Sequence, residues 1–188
     1  MSKSEDAAYE LVQAVHSADG WVCLALAGAG TRALAWLFGE PGASRTMLDA
    51  QVPYASSAVD EYLGDTPDQY ASAETALRMA KAALRRARNL ALKSGRPDSA
   101  PLGGIACTAA LVTDRVRRGQ DRCHVAVATS AGVRKIYSLE MAKGRRNRAG
   151  EELLCSQLVL NAVAEAKGLK ARLSLRLLAS EQVQISGR

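Results

Sequence analysis

The feature that most constrains this chain is a short apolar segment that ends in two closely spaced glycines. Residues 21–26 (WVCLAL) are continuously hydrophobic, which is typical of a strand buried on both faces. Gly28 and Gly30 follow and permit a tight turn with close backbone approach. Thr31 then stands where a cap residue belongs, before the apolar residues of 34–38. The pattern predicts a strand, a glycine turn and a helix in succession.

Such a turn has two interpretations. The free backbone N–H groups of residues 28–31 (Gly28, Ala29, Gly30 and Thr31) and the dipole of the following helix point at one place, so the turn is a natural anion site. The alternative is a tight connection that holds no ligand, because two glycines are a weak motif on their own. This stretch alone leaves both interpretations open.

The composition is that of an ordinary globular domain. The chain has 188 residues, of which 48% are hydrophobic and 23% charged, so it fits one domain or one domain with a tail. Aromatic residues are only 4%, so the core has to consist of small and aliphatic side chains that let helices pack closely on the sheet. The net charge of +6 allows phosphate-bearing partners without demonstrating them.

The cysteines and histidines do not have the spacing of metal ligands. The four cysteines form no C-x-x-C pair and lie in apolar segments, so we predict buried thiols. The two histidines are far apart in sequence. We therefore predict no metal and no cofactor. The polar start (MSKSED) and the lack of an apolar run of about 18 residues predict a cytoplasmic protein without membrane contact.

Hydrophobic periodicity divides the chain into helices and strands. It predicts helices at 4–18, 32–38, 54–63, 73–93 and 151–167. It predicts strands at 21–27, 45–53, 102–111, 123–129 and 133–141. Together they indicate a three-layer α/β/α sandwich with a mixed sheet of about five strands, formed by residues 1–168. Residues 169–188 form a tail, in which alternation at 172–177 suggests an edge strand.

The helix at 73–93 carries a stripe of basic residues opposite its apolar face. Arg78, Lys81, Arg85 and Arg88 recur at helical spacing. A stripe of this kind either tracks phosphates or is simply a solvated helix face. Phe38 is the only phenylalanine, so the chain has few aromatic platforms for stacking bases, and we regard nucleic acid as an unlikely partner.

Several short stretches, in this order and spacing, resemble the C-terminal domain of the competence/damage-inducible protein CinA family. The family has an A-E-S-C-T-G-G turn, then G-S-S, Y-S-N-E-x-K, S-x-E-x-A-x-x-M-A and G-I-A-G motifs, and a G-x-R turn before the last helix. The matching stretches here are ALAGAGT (25–31), PGAS (41–44), VPYASSAV (52–59), SAETALRMA (72–80), GIAC (104–107) and GRR (144–146). The resemblance covers about residues 5–168 and implies the α/β/α fold.

The family includes the nicotinamide-nucleotide amidase, which hydrolyses nicotinamide mononucleotide to the nicotinate form and ammonia. Its nucleophile is the serine of the first motif, which the lysine of Y-S-N-E-x-K activates. This chain has Ala27 at the serine position and Val59 at the lysine position. Leu26 and Ala29 replace the glutamate and threonine of the first motif, whereas Tyr54 is retained.

These departures predict a pseudoenzyme that binds a nucleotide-like or phosphorylated small molecule without hydrolysing it. We predict ligand contacts from the turn at 28–31, Tyr54, Thr108, Arg115 and Arg146. Thr108 and Arg115 belong to the loop that replaces the family's glycine-rich G-P-G-G loop, and Arg146 matches the arginine of the G-x-R turn. A homo-oligomer is compatible with this interpretation.

Two other functions stay open. An amidase or related hydrolase with rebuilt chemistry would need a new nucleophile, such as Ser56, Ser57 or Cys107. The ordinary alternatives are that the two serines cap the short helix and that Cys107 is a buried small residue. The third function is a protein-interaction module that binds no small molecule.

Overall fold

The computed structural model describes residues 3–115 and 117–187, which form five α-helices and six strands. The helices are α1 (Lys3–Ser17), α2 (Arg32–Gly39), α3 (Ser56–Leu63), α4 (Ala73–Lys93) and α5 (Arg148–Ala166). The strands are β1 (Trp21–Ala27), β2 (Met47–Gln51), β3 (Leu102–Ala110), β4 (Asp121–Thr129), β5 (Arg134–Met141) and β6 (Val183–Gly187). A single 3₁₀ turn at Ala43–Arg45 precedes β2.

The strands form one mixed sheet in the order β2-β1-β3-β4-β5-β6. β1 lies parallel to both β2 and β3. β3 to β6 then pair antiparallel, each with the next. The mixed sheet is confirmed, with six strands rather than about five. The carboxyl ends of β1, β2 and β3 meet at one edge, where open α/β sheets bind ligands.

Helices cover both faces of the sheet, which confirms the three-layer architecture. In β1, Val22 and Leu24 pack into the core below α1, α2 and α5, while Cys23 and Ala25 pack into the core below α3 and α4. Both faces of β1 are buried, which explains its continuous hydrophobicity. Among the described residues, no helix combines the length and the hydrophobicity needed to cross a membrane.

The small side chains allow α4 to approach the sheet closely, as the composition predicts. A β-carbon on Gly104 would lie 2.1 Å from the carbonyl oxygen of Ala80 and 2.3 Å from the backbone nitrogen of Leu84. Only a glycine in β3 therefore permits this helix position. The bounds of α4 match the predicted helix, and the Ser72 side chain caps it by accepting a hydrogen bond from the N–H of Thr75 at 3.1 Å.

The C-terminal tail departs in detail from the predicted pattern. Its strand is β6, and the alternating segment at 172–177 forms no strand, so the edge strand lies about ten residues further along. Leu173 in that segment is buried in the core. Its backbone N–H donates to Asn161 Oδ1 at 2.6 Å, and its carbonyl accepts from Asn161 Nδ2 at 3.0 Å. This pairing fixes the segment to α5 instead of to the sheet.

An ion pair holds the tail to the turn before α5. Arg146 contacts both carboxylate oxygens of Glu181, at 2.5 and 2.7 Å, and only 1% of the Glu181 side chain is exposed. The backbone N–H groups of Ala142 and Leu178 donate to the same carboxylate. The Arg146 guanidinium, aided by these N–H groups and opposed by burial, lowers the pKa of Glu181 to about 2.

This carboxylate makes the stability of the protein pH-dependent. Its pKa is lower in the folded than in the unfolded chain, so its contribution is complete above about pH 4.5 and disappears as the pH falls toward 2. We expect Glu181→Gln to lower the free energy of unfolding by about 2–3 kcal/mol at pH 7, with the difference from wild type shrinking below pH 4.5. Urea unfolding across pH measures this, with the exposed Glu10→Gln as the control. A difference that does not change with pH would contradict the expectation.

Candidate functional site

A cavity of about 230 Å³ lies at the carboxyl ends of β1 and β3. We call it the β1–β3 cavity. Its lining residues are Ala27, Gly28, Tyr54, Ser56, Val59, Tyr70, Ala71, Thr108 and Ala109. Ala27 and Val59, the positions that the motif matches align with the family's nucleophile and base, therefore both line this cavity, together with Tyr54.

Each wall of the cavity is fixed by the fold. Ala27 is the last residue of β1 and pairs in parallel register with Thr108 of β3. The Thr108 hydroxyl donates to the carbonyl oxygen of Ser72 at 3.0 Å and so connects β3 to the start of α4. Gly28 has φ +87°, and a β-carbon there would lie 2.3 Å from the Ala109 carbonyl oxygen. Glycine is needed at this position because the turn crosses β3 at close range.

The glycine turn already holds a carboxylate of the protein itself. The N–H of Gly30 donates to both oxygens of Glu152, each at 3.1 Å, and the N–H of Arg32 donates to one of them at 3.2 Å. The Thr31 hydroxyl donates to the same oxygen at 3.1 Å instead of capping α2. The anion at the N-terminus of α2 is therefore a side chain of the protein itself, Glu152 of α5.

Glu152 could not be identified from the sequence. It is half-buried and also accepts a hydrogen bond from Ser156 at 3.1 Å. The only signal is a pair of acidic residues at the start of a predicted helix, where they complement the helix dipole. Nothing in the sequence pairs residue 152 with residue 30.

The arginines before and within α5 have different roles. The guanidinium of Arg146 is engaged by Glu181 and by the carbonyl oxygen of Arg176 at 2.9 Å. Arg148 instead reaches the glycine turn, where it donates to the carbonyl oxygen of Gly28 at 2.8 Å. The arginine that lies beside the turn is thus Arg148, two residues beyond the position that matches the family's motif.

Arg115 lies at a different cavity. This second cavity, of about 260 Å³, has Arg115, Arg117 and Asp121 among its lining residues. The loop that leads there is anchored by the buried Glu151, whose carboxylate accepts from the N–H of Val112 at 2.7 Å. Burial raises the pKa of Glu151.

The predicted ligand residues therefore separate into three groups. Gly28, Tyr54 and Thr108 line the β1–β3 cavity. Gly30 and Thr31 hold Glu152, and Ala29, which precedes them, is buried. Arg115 and Arg146 lie elsewhere, as described above.

A serine of α3 does face the cavity. α3 begins at Ser56 and its N-cap residue is Ala55, so neither Ser56 nor Ser57 caps the helix. Ser56 and Tyr70 both line the cavity, and the Tyr70 hydroxyl donates to Asp60 Oδ1 at 3.0 Å. The hydrogen bond to Asp60 raises the pKa of Tyr70.

Cys107 is a buried thiol. Its side chain is completely buried, and its Sγ lies 3.6 Å from that of Cys123. The hydrogen bond with Cys123 lowers the pKa of the Cys107 thiol, but burial together with the electrostatic effects of Cys155 and Glu152 outweighs it and leaves the pKa raised. A buried thiol with a raised pKa is a poor nucleophile, so Cys107 fills the core.

Sequence comparison identifies no relative. No protein-family model matches the chain. A search of curated proteins likewise finds no match.

The fold is similar to that of solved CinA-superfamily proteins. The structure of competence/damage-inducible protein CihA from Agrobacterium tumefaciens aligns with a TM-score of 0.66 at 20% identity, over 88% of this chain and 96% of that one. A CinA-superfamily protein from Escherichia coli aligns with a TM-score of 0.63 at 14% identity, over 88% and 92%. A CinA-superfamily protein from Enterobacter cloacae aligns with a TM-score of 0.58 at 15% identity, over 86% of this chain and 90% of that one. These likenesses confirm the predicted fold.

The contacts of Glu152 predict a measurable contribution to stability. Glu152→Ala removes the acceptor of the Gly30 and Arg32 N–H groups and the link between α5 and the turn. We expect the free energy of unfolding to fall by about 1–3 kcal/mol, the usual cost of leaving such donors without partners. Chemical denaturation at pH 7 measures it, with the exposed Glu140→Ala as the matched control. Equal stability of the two variants would show that the turn does not depend on Glu152.

Proposed function

We propose that this chain is a CinA-like domain that has lost amide hydrolysis and binds a nucleotide-like, phosphorylated small molecule in the β1–β3 cavity. The observation that carries the proposal is the meeting of Ala27 and Val59 in one cavity. Amide hydrolysis through a covalent intermediate needs a nucleophile and a group that accepts its proton. The methyl group of Ala27 and the isopropyl group of Val59 supply neither. The cavity that they line is nevertheless present.

The groups around the cavity suit a ligand that combines a polar ring system with an anionic group. Hydroxyl groups of Tyr54, Ser56 and Thr108 line it and can hydrogen-bond a sugar or an amide. Two arginines bond the backbone of lining residues: Arg148 donates to the Gly28 carbonyl at 2.8 Å and Arg122 to the Ala71 carbonyl at 2.9 Å. Arginine is suited to phosphate because its planar fork matches two phosphate oxygens.

The Glu152 carboxylate lies at the turn where the sequence predicts the phosphate, so the proposed phosphate position has to change. It occupies the N–H groups of the turn and repels a second anion there. We therefore place the phosphate at the mouth of the cavity, beside Arg148 and Arg122. Arg115 and Arg146 have no part in this placement.

Ammonia release tests the loss of hydrolysis. Purified protein incubated with nicotinamide mononucleotide is expected to release no ammonia above the protein-free blank, because Ala27 and Val59 cannot start the reaction. A coupled glutamate dehydrogenase assay measures it. Sustained release that also persists in Ser56→Ala would show that another group attacks, and the pseudoenzyme proposal would fail.

Calorimetric titration tests the binding site. We expect nicotinamide mononucleotide to bind the wild type, and Arg148→Ala to weaken its binding about tenfold, the effect of losing one charge-assisted contact. Arg145→Ala is the matched control, since Arg145 is exposed in the same turn, and it is expected to bind as the wild type does. If both variants bind like the wild type, the phosphate does not lie beside Arg148. If no nucleotide binds at all, the domain is better described as a protein-interaction module.

A second candidate function is hydrolysis through Ser56. The presence of Ser56 and Tyr70 in one cavity, with the Tyr70 hydroxyl bonded to Asp60, favours it, because a tyrosine and a carboxylate beside a serine can assist removal of the serine proton. In that case the wild type releases ammonia, and Ser56→Ala and Tyr70→Phe both abolish the release. Ser57→Ala, which changes the neighbouring serine outside the cavity lining, is expected to leave the release intact.

A further inference from the structure

A third cavity, separate from the two above, lies between α3, α4 and the segment that follows β2. It has a volume of about 740 Å³, within the range of about 300–1,000 Å³ typical of small-molecule sites. We call it the α3–α4 groove. Its lining residues are Gln51, Val52, Pro53, Ala58, Glu61, Tyr62, Ala82, Arg85, Arg86, Asn89, Leu90 and Lys93.

The groove carries an excess of positive charge. Arg85, Arg86 and Lys93 face it, against the single carboxylate of Glu61. Arg86 is neutralised by its ion pair with Asp49. Within the described part of the chain, neither Arg85 nor Lys93 forms an ion pair. Two cations without a protein counter-ion therefore lie at a concave site of the size of a small molecule.

These cations are spaced along the groove. Arg85, Asn89 and Lys93 are separated by four residues each, so they lie on one face of α4, with successive side chains about 6 Å apart along the helix axis. Their donor groups therefore form a row. A row of donors matches a ligand with several anionic groups better than a single phosphate. Tyr62 adds an aromatic, half-buried wall, and its hydroxyl stays neutral because burial raises its pKa.

We propose that the α3–α4 groove binds a small molecule with two or more linked phosphate groups, held by Arg85, Asn89 and Lys93. The site is independent of the proposed function of the β1–β3 cavity. α3 separates the two cavities: Ser56 and Val59 line one, while Ala58 and Tyr62 line the other.

The structure favours a small molecule over a nucleic-acid strand. The basic stripe of α4 is not a continuous track of free cations, because Arg78 at its start is paired with Asp65. Arg88 does not line the groove. Residues 51–53 and α3 form the other side of the groove, so the row of donors borders a limited volume instead of an extended surface.

Calorimetric titration with inorganic pyrophosphate and with inorganic phosphate tests the proposal. We expect pyrophosphate to bind at least about tenfold more tightly than phosphate, since two linked anions engage the row of donors. Arg85→Ala and Lys93→Ala are each expected to weaken pyrophosphate binding about tenfold, the effect of losing one charge-assisted contact. Arg85→Lys keeps the charge and is expected to retain part of the affinity. Circular dichroism verifies that each variant is folded.

Arg88→Ala is the matched control, because it removes a charge from an exposed position of the same helix outside the groove. It is expected to change pyrophosphate affinity by less than about twofold, as for a screened surface charge. Equal losses in Arg88→Ala and Arg85→Ala would indicate diffuse attraction to the helix and would overturn the proposal. Failure of pyrophosphate to bind the wild type would overturn it as well.

Two further measurements complete the test. A single-stranded RNA that binds more tightly than pyrophosphate, and is weakened equally by Arg78→Ala and Arg85→Ala, would assign the helix to nucleic acid instead. Nicotinamide mononucleotide titrated into Arg85→Ala is expected to bind as it does to the wild type. Loss of nicotinamide mononucleotide binding in Arg85→Ala would show that the two sites are not independent.

Discussion

Two adjacent carboxylates of α5 hold the turns on which the candidate site depends. Glu152 accepts hydrogen bonds from the turn after β1, and Glu151 accepts one from the loop after β3. β1 and β3 are parallel neighbours, so these turns lie side by side at the edge of the sheet where α/β proteins bind ligands. The first turn of α5 thereby fixes the shape of that edge. The β1–β3 cavity lies directly beside the turns that it fixes.

The hydrogen bonds of Glu152 also change how this edge of the sheet can bind an anion. A glycine turn at a helix N-terminus attracts an anion, and here the anion is supplied by the chain. In the proposed function, side chains therefore recognise the phosphate, namely those of Arg148 and Arg122. The proposed loss of amide hydrolysis rests on Ala27 and Val59, because their side chains offer neither a hydroxyl nor an amine.

Local patterns predicted much of the fold. The bounds of α4 and its Ser72 cap follow from the period of apolar residues and one capping serine. The buried strand β1 and the β4–β5 hairpin follow from short-range signals of the same kind. The position of β6 could not be found this way, because Asn161 and Glu181 fix the tail through contacts with distant parts of the chain.

The candidate site was predictable only in part, for the same physical reason. Motif matches brought Ala27, Tyr54 and Val59 to one place, and the structure puts all three at the β1–β3 cavity. The contact between Gly30 and Glu152 spans 122 residues, and no local pattern encodes it. The choice between Arg146 and Arg148 depends on where Glu181 lies, which is again a tertiary property.

The central claim is that the β1–β3 cavity retains a nucleotide-like ligand without breaking its amide bond. An NMR titration of isotope-labelled protein with nicotinamide mononucleotide, followed over several hours, tests both parts in one sample. The account predicts shifts in the backbone resonances of Gly28, Val59 and Thr108, with the resonances of the ligand unchanged over time. Conversion of the ligand to its nicotinate form, or shifts confined to other parts of the protein, would contradict it.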